Sequence, residues 1–209
     1  MVGLAAEARI ARLLGWRVAI GGGTAKGAEA AAAQLIDAGA RALVSFGLAG
    51  GLDPALRPGV IIVPARVILN DRPYSADAEL NRRLGGVTHH VSLAVEQVVT
   101  TPAIKQRLYK TTNAAALDLE SGAVAHAASV RRLPFAVLRA ICDPAERCLP
   151  SAALGALDVQ GAIAVWRVLA SLAADPRQLP LVFQLAADAA AARRSLRRRI
   201  KELAQASET

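Results

Sequence analysis

The chain has 209 residues, of which 54% are hydrophobic, 3% aromatic and 20% charged, which suits one domain with a full core and excludes a disordered chain. The formal net charge of +8 leaves nucleic acid, an anionic membrane surface and simple solubility open as reasons for the basic excess. No apolar run predicts a membrane span or a signal peptide. Two cysteines with three histidines are too few for a disulfide framework or a metal site. We therefore expect a cytoplasmic protein without a metal.

Strands and helices alternate along most of the chain. The predicted elements up to residue 69 are a strand end at 2–4, a helix at 7–14, a strand at 16–20, a helix at 25–38 and strands at 42–46, 60–63 and 65–69. The later ones are a strand at 90–95, a helix at 103–111, a strand at 115–119, a helix at 122–130, a strand at 135–141 and helices at about 159–173 and 179–203. This order predicts an α/β fold, a single domain with a mixed, mostly parallel sheet flanked by helices and followed by C-terminal helices. We assign residues 1–175 to the α/β domain and residues 176–209 to a basic C-terminal helix of the same domain.

The C-terminal segment is strongly basic, with seven basic and three acidic residues between positions 176 and 209. Five of the basic residues fall on one side of a predicted helix, namely Arg193, Arg194, Arg197, Arg198 and Lys201. Leu196, Ile200 and Leu203 line another side. Such a helix suits peripheral contact with an anionic membrane surface, and packing on the domain or on a second subunit fits equally. Nucleic acid is the weakest choice, because the stretch after residue 190 has no aromatic residue for base stacking.

A glycine-rich stretch, Gly47-Leu48-Ala49-Gly50-Gly51, follows the predicted strand at 42–46. Glycines there would let the backbone approach a ligand and present its N–H groups to an anion. A tight turn that needs positive φ explains the same residues. The stretch matches neither a Walker A loop nor a dinucleotide-binding fingerprint.

Acidic residues follow two of the predicted strands. Asp118-Leu119-Glu120 ends one strand, Asp143 ends the other, and one helix joins them, so we expect the acids to meet at one rim of a parallel sheet. A partly desolvated Asp143 could act as a general acid, or it could cap the next turn. Glu120 could accept two hydrogen bonds from a vicinal diol such as ribose, or it could serve as a favourable charge at a helix N-terminus.

Taken together and in this order, the motifs resemble the nucleoside phosphorylase and nucleosidase superfamily. The segments that carry the resemblance are Gly23-Thr24-Ala25-Lys26-Gly27, the stretch from Gly47 to Leu52, Gly59-Val60-Ile61-Ile62-Val63, the stretch from Asp118 to Ala123, and the stretch from Pro134 to Asp143. Within that superfamily, the short length, the Gly-Leu-Ala-Ala-Glu-Ala-Arg start and the Leu-Ala-Gly-Gly-Leu stretch look most like the hopanoid-associated phosphorylases. Those enzymes are thought to remove adenine from adenosylhopane.

The resemblance implies roles for individual residues. Asp143 would hold the N7 side of the purine and protonate the leaving base. The expected substrate-binding residues are Glu120 and Asp118, with Glu120 on the ribose hydroxyls, Leu119 under the sugar, and the backbone of Val98 and Val99 at the base. A site for phosphate or another nucleophile would be formed by Gly3, Glu7, Arg9, Leu48 and Gly50.

The function that this resemblance implies is phosphorolysis of adenosylhopane to adenine and a phosphoribosyl hopane, with phosphate as co-substrate and no cofactor. Arg9 favours phosphate over water, because the run of acids typical of the hydrolases is reduced to Glu7. A hydrolytic nucleosidase acting on a 5′-thioadenosine is an alternative, and a nucleotide- or nucleic-acid-binding regulator is an alternative of another class. The partners implied are a small or lipid-linked nucleoside and a second copy of the chain, with a dimer favoured.

Overall fold

A computed structural model describes residues 1–150, 170–171 and 174–206. The helices in these parts of the chain are α1 (Ala5–Ala11), α2 (Ala25–Asp37), α3 (Ala78–Arg83), α4 (Pro102–Thr112), α5 (Ser121–Val130) and α6 (Leu179–Ala206), with 3-10 turns at Arg12–Leu14 and Pro176–Gln178. The strands are β1 (Leu43–Gly51), β2 (Ile61–Ile62), β3 (Pro64–Leu69), β4 (Arg72–Ser75), β5 (His89–Ala94), β6 (Ala116–Asp118) and β7 (Phe135–Asp143). The helix predicted at 159–173 falls almost entirely outside the described residues.

These seven strands form one sheet in the order β2-β7-β1-β6-β5-β3-β4. The longest ladder is parallel and joins β1 to β7, and β5 is parallel to both of its neighbours, β3 and β6. The pairs β1–β6, β2–β7 and β3–β4 are antiparallel. The predicted α/β fold with a mixed sheet flanked by helices is therefore confirmed.

Some local predictions were wrong at the N-terminal end. Residues 2–4 and 16–20 form no strand, and Val2 makes only single bridges to Ile20 and Phe46. The stretch from Gly47 to Gly51 is not a turn, because β1 continues through it and carries a register shift between Ala49 and Gly50. β4 and α3 were missed, since β4 is a short edge strand with a proline and α3 has only six residues.

The start of α2 follows the sequence prediction. Gly22 and Gly23 have φ values of 70° and 74°, which glycine adopts without the steric cost of a Cβ. Thr24 then caps the helix, and its Oγ1 accepts a hydrogen bond of 3.1 Å from the backbone N–H of Gly27. This confirms the start of the helix predicted at residue 25.

The C-terminal helix α6 packs against the sheet. Ala192, Leu196 and Ile200 are buried together with Leu138 and Ala140 of β7 in one apolar cluster. The apolar side predicted from the sequence therefore faces the domain, while Arg194, Arg197 and Arg198 remain exposed on the other side. Among the described helices, none has the length and apolar character needed to cross a membrane.

Candidate active site

The direction of β6 determines where its acids lie. β6 runs antiparallel to β1, with Leu117 opposite Gly50, whereas β7 runs parallel to β1. The end of β6 therefore points back along β7, and Asp118 pairs with Arg139 in the middle of that strand. Four residues of extended chain separate Arg139 from Asp143, which corresponds to roughly 13 Å. The predicted parallel direction of β6 was wrong, because the sequence pattern carries no signal for strand direction. Leu117 at the end of β6 and Asp143 at the end of β7 nevertheless both lie opposite Gly50 of β1.

Arg139 organises a buried polar cluster under the sheet. Its Nη2 donates to Asp118 Oδ1 at 3.0 Å and to Ser45 Oγ at 2.7 Å, and its Nη1 donates to Glu120 Oε2 at 3.0 Å. All four side chains are buried. Asp118 is further fixed because its Oδ1 accepts from the backbone N–H groups of Glu120 and Ser121 at 2.8 and 2.6 Å. Two carboxylates thus compensate one buried guanidinium.

Glu120 has a free oxygen in this cluster. Its Oε1 is buried and has no hydrogen-bond partner among the described residues. Burial raises the pKa of Glu120, the Arg139 guanidinium lowers it, and the nearby Asp118 charge raises it further, with a net rise. The backbone N–H of Gly23 is close enough to lower the pKa slightly but forms no hydrogen bond to Oε1. Buried acceptors without partners are rare in folded proteins, so this oxygen is available to a donor from a ligand.

Glu7 reaches the same cluster from α1. Its Oε2 accepts from the backbone N–H groups of Gly3 and Leu4 at 3.1 and 2.8 Å, and its Oε1 accepts from that of Leu48 at 2.9 Å. Burial is the main reason why its pKa rises to about 7, and the charge of Glu120 adds to the rise. A carboxyl group with this pKa can accept a proton near neutral pH.

Two glycines allow the charged groups to approach so closely. A Cβ atom on Gly3 would collide with the carboxylate of Glu120, and a Cβ atom on Gly47 would lie 2.7 Å from both Arg139 Nη1 and Glu7 Oε1. Gly3 and Gly47 therefore leave the space in which Glu7, Glu120 and Arg139 meet.

Asp143 lies at the end of β7 and is paired with a lysine. Its Oδ2 accepts from Lys105 Nζ at 2.6 Å, and Lys105 is fully buried. Burial raises the pKa of Asp143, and the Lys105 ammonium opposes part of that rise. Asp143 Oδ1 is buried and accepts no hydrogen bond from the described residues. A second acid of the site thus also has one unused oxygen.

The other predicted site residues lie at different distances from these groups. Gly50 is close to Asp143, since a Cβ atom on it would lie 3.6 Å from Asp143 Oδ2. Leu119 is partly exposed between the two acids of its segment. Val98 and Val99 follow β5, and Val99 packs against the core while Val98 is exposed.

Arg9 is exposed on α1 and lies outside the buried cluster. It lines a surface cleft of about 340 Å³ with Arg193, Arg194 and Arg197 of α6. A separate, mainly apolar cavity of about 510 Å³ is bordered by α2, α3 and α6, and none of the predicted site residues lines it. Glu7, Glu120 and Asp143 therefore line neither the cleft nor the cavity.

Sequence reasoning gave no role to Arg139, Ser45 or Lys105. Arg139 is an arginine inside an otherwise apolar strand, a pattern that signals a buried charge in need of acidic partners. Lys105 gave no comparable signal, because helix α4 is polar on most of its surface and a buried lysine there looks like any other lysine in the sequence.

Comparison with known families places this fold in a defined class. The model of the phosphorylase superfamily matches residues 9–81 and 69–172, which together exceed half of the chain. The chain belongs to the phosphorylase superfamily, as the sequence motifs predicted. A comparison with curated protein sequences found no match.

Solved structures with similar folds include several nucleosidases. The S-adenosylhomocysteine nucleosidase of Streptococcus pyogenes has a TM-score of 0.56 and 19% identity over 60% of this chain and 65% of its own. The 5′-methylthioadenosine/S-adenosylhomocysteine nucleosidase of Colwellia psychrerythraea, in complex with adenine, has a TM-score of 0.58 and 21% identity over 73% of this chain and 76% of its own. A mutant of the Helicobacter pylori nucleosidase with 5′-methylthioadenosine in its active site has a TM-score of 0.64 and 15% identity over 96% of both chains. At these identities the likeness supports the shared fold, and this chain spans just under two thirds of the streptococcal enzyme.

Proposed function

We propose that this protein cleaves the N-glycosidic bond of an adenine nucleoside, with water as the nucleophile. The observation that carries the proposal is a pair of buried oxygens without a hydrogen-bond partner among the described residues, Glu120 Oε1 and Asp143 Oδ1, of which the first lies near the proton acceptor Glu7. Each oxygen is available to a polar group of a ligand. The likeness in fold to nucleosidases that bind adenine and 5′-methylthioadenosine supports this class of substrate.

The chemistry of the reaction fits these groups. Breaking the bond between ribose and purine builds positive charge on the sugar and negative charge on the leaving base. Asp143, whose burial favours the protonated form by raising its pKa, would transfer a proton to the base, and a positioned acid contributes roughly 10²–10⁴-fold. Glu120 would accept hydrogen bonds from the ribose hydroxyls and stabilise the positive charge of the sugar in the transition state.

The surroundings of Glu7 favour water over phosphate. The backbone N–H groups of Gly3 and Leu48, which the sequence suggested for an anion, already donate to the Glu7 carboxylate. Arg139 is neutralised by Asp118 and Glu120, so the described cluster offers no free cation to a phosphate dianion. Glu7 would instead take a proton from the attacking water.

Phosphorolysis of adenosylhopane is the alternative that the sequence resemblance favours. It requires a phosphate site, and Arg9, the residue expected to supply its charge, lies on the surface of α1. The identity of the group on the 5′ carbon, the expected dimer and the expected membrane contact belong to this proposal as predictions. A binding regulator is less well supported, because it gains nothing from a buried acid with a raised pKa.

Adenine release is the measurement that tests the proposal. Purified protein is incubated with adenosine, 5′-methylthioadenosine and adenosylhopane, with and without phosphate, and the sugar product is identified by mass. We expect release at the same rate without phosphate and a free ribosyl product. Phosphate-dependent release with a ribose 1-phosphate product would select phosphorolysis instead. No release from any of the three substrates would contradict the proposed activity.

A further inference from the structure

Lys105 is a buried cation for which the proposed reaction has so far no use. It lies in the first turns of α4, a helix that begins with the cap Thr101 and with Pro102 at its first position. Its side chain has no exposed surface. A fully buried lysine is rare and needs compensation from opposite charge and from acceptors.

The contacts of Lys105 are all made at one place. Its Nζ donates to Asp143 Oδ2 at 2.6 Å, to the backbone carbonyl of Pro144 at 2.9 Å and to that of Arg147 at 3.2 Å. An ammonium group has three protons, so these three acceptors use all of its donors. The position of Nζ is therefore fixed relative to both the carboxylate and the backbone that follows β7.

The two oxygens of Asp143 become unequal as a result. Oδ2 faces a cation and cannot hold a proton against it, whereas Oδ1 is buried and has no partner among the described residues. The other charged groups that act on this carboxylate are Arg147 in the following loop and Asp188 of α6, which pair with each other at 2.6 Å. Lys105 is thus the cation in direct contact with Asp143.

We propose that Lys105 is a positioning residue for Asp143, which directs the acidic proton to Oδ1 and holds that oxygen toward the leaving base. This role rests on the proposed function. In the reaction the O–H bond at Oδ1 breaks and an N–H bond forms on the purine, while the electrons of the glycosidic bond go to the base. Asp143 is left as a carboxylate, which the Lys105 ammonium stabilises. Water supplies the hydroxyl group to the sugar and its proton to Glu7, and exchange with solvent returns both acids to their starting states.

A purely structural role makes a different prediction. Lys105 could simply attach α4 to the loop after β7 through the carbonyls of Pro144 and Arg147. In that case its removal would change stability, and any effect on turnover would be the same whether or not Asp143 were present.

The test uses Lys105→Gln, which keeps N–H donors for the two carbonyls and removes the charge. The matched control is Lys110→Met, an exposed position on the same helix. We expect Lys105→Gln to lower kcat for adenine release by roughly 10- to 100-fold, less than the roughly 10²–10⁴-fold contributed by the positioned acid itself, with little change in KM. The alkaline limb of the kcat profile should move to higher pH, because loss of the ammonium raises the pKa of Asp143. Lys105→Arg keeps the charge and should return the limb to its wild-type position.

A double-mutant cycle with Asp143→Asn identifies the path of the effect. If Lys105 acts through Asp143, Lys105→Gln causes no further loss of kcat in the Asn background. Equal losses in both backgrounds, or an alkaline limb that does not move in a folded Lys105→Gln variant, would overturn the proposal. Should Lys105→Gln not fold, Lys105→Arg alone decides. It should keep the wild-type pH profile and lower kcat, and a wild-type kcat with the longer, displaced head group would contradict positioning. If the wild-type protein releases no adenine, the proposed function itself is refuted. If the enzyme is active but shows no coupling between Lys105 and Asp143, only the positioning role is refuted.

Discussion

Single residues at this site carry charge in places where water cannot solvate them. Arg139 lies between Asp118 and Glu120, and Lys105 lies against Asp143, all of them buried. Removing one partner of a buried ion pair leaves the other uncompensated and costs about 3–5 kcal/mol. Activity measurements on these positions therefore need a thermal melt of each variant beside them.

Asp143→Asn tests the acid. The amide has nearly the same shape but cannot give a proton to the purine, so we expect a folded protein whose kcat falls roughly 10²–10⁴-fold. Adenine release from the proposed substrates measures it. Asp37→Asn, at an exposed position near the end of α2, serves as the control. Turnover at the wild-type rate in a folded Asn variant would remove Asp143 from the mechanism.

Glu120→Gln tests the contact to the sugar. Glu120 Oε1 is the oxygen without a partner, and the ribose hydroxyls are the donors proposed for it. We expect kcat/KM to fall for a nucleoside with both hydroxyls and to change much less for its 2′,3′-dideoxy analogue. The analogue is also the control for any loosening of Arg139, since such a disturbance would affect both substrates equally. Equal losses on the two would contradict the assignment.

Glu7 should determine how activity depends on pH on the acidic side. A general base works only when ionised, and the pKa of Glu7 is about 7, so activity should rise as the pH increases through about 7. Glu7→Gln should abolish this limb together with most of the turnover, while the exposed Glu29→Gln should change neither. A flat profile between pH 6 and 8 in the wild-type protein would show that Glu7 is not the base.

The sequence pointed to most of these residues and missed their partners. Glu120, Glu7 and Asp143 were selected by their position in motifs, and the structure buries all three. Arg139 and Lys105 were given no role, because the need for compensating charge becomes visible only when the burial of each acid is known. Arg9 lies outside the expected nucleophile site for a similar reason. The direction of its side chain depends on how α1 packs against α6, which the sequence does not show.

For helices and strands, the sequence prediction agrees with the structure where the local sequence signal is strong. α2, α5 and α6 lie within a few residues of their predicted limits. The Thr24 cap marks the start of α2, and apolar residues at helical spacing mark α6. The strand at 16–20 was wrong, since an apolar stretch becomes a strand only if a neighbour pairs along it, and Val2 pairs at one residue. The antiparallel pairing of β6 depends on tertiary structure alone.

The exposed side of α6 joins α1 in a basic patch formed by Arg9, Arg193, Arg194 and Arg197. The proposed membrane contact would use these four arginines, and a basic residue near an anionic membrane surface contributes about 1 kcal/mol. We expect the wild-type protein to sediment with liposomes of anionic lipid at low salt and the fourfold Ala variant to stay in solution.

The control for that experiment removes the same charge elsewhere, by Ala substitution of the exposed Arg41, Arg66, Arg107 and Arg131. A truncated chain would be unsuitable, because it would lose Leu196 and Ile200 from the core. If the two fourfold variants bind liposomes equally, the patch is not a membrane site.

At the scale of the whole molecule, α6 completes the core on one side of the sheet. Leu196 is fully buried against β7, so Leu196→Ala should lower the free energy of unfolding by about 2–5 kcal/mol. Urea denaturation followed by circular dichroism measures this. Arg198→Ala, at an exposed position two residues along the same helix, should change stability by less than about 0.5 kcal/mol. Similar values for both variants would mean that α6 contributes little to the core.

The contacts of Arg139 also constrain the order in which the chain can fold. Its partners Glu120, Asp118 and Ser45 precede it by 19, 21 and 94 residues, and Glu7 lies still earlier. During synthesis the acids therefore leave the ribosome well before the guanidinium that neutralises them. Until the ladder between β1 and β7 closes, a nascent chain can keep these carboxylates hydrated but cannot bury them. We therefore expect the reactive centre to assemble only once β7 pairs with β1, whose contact through Ser45 spans 94 residues.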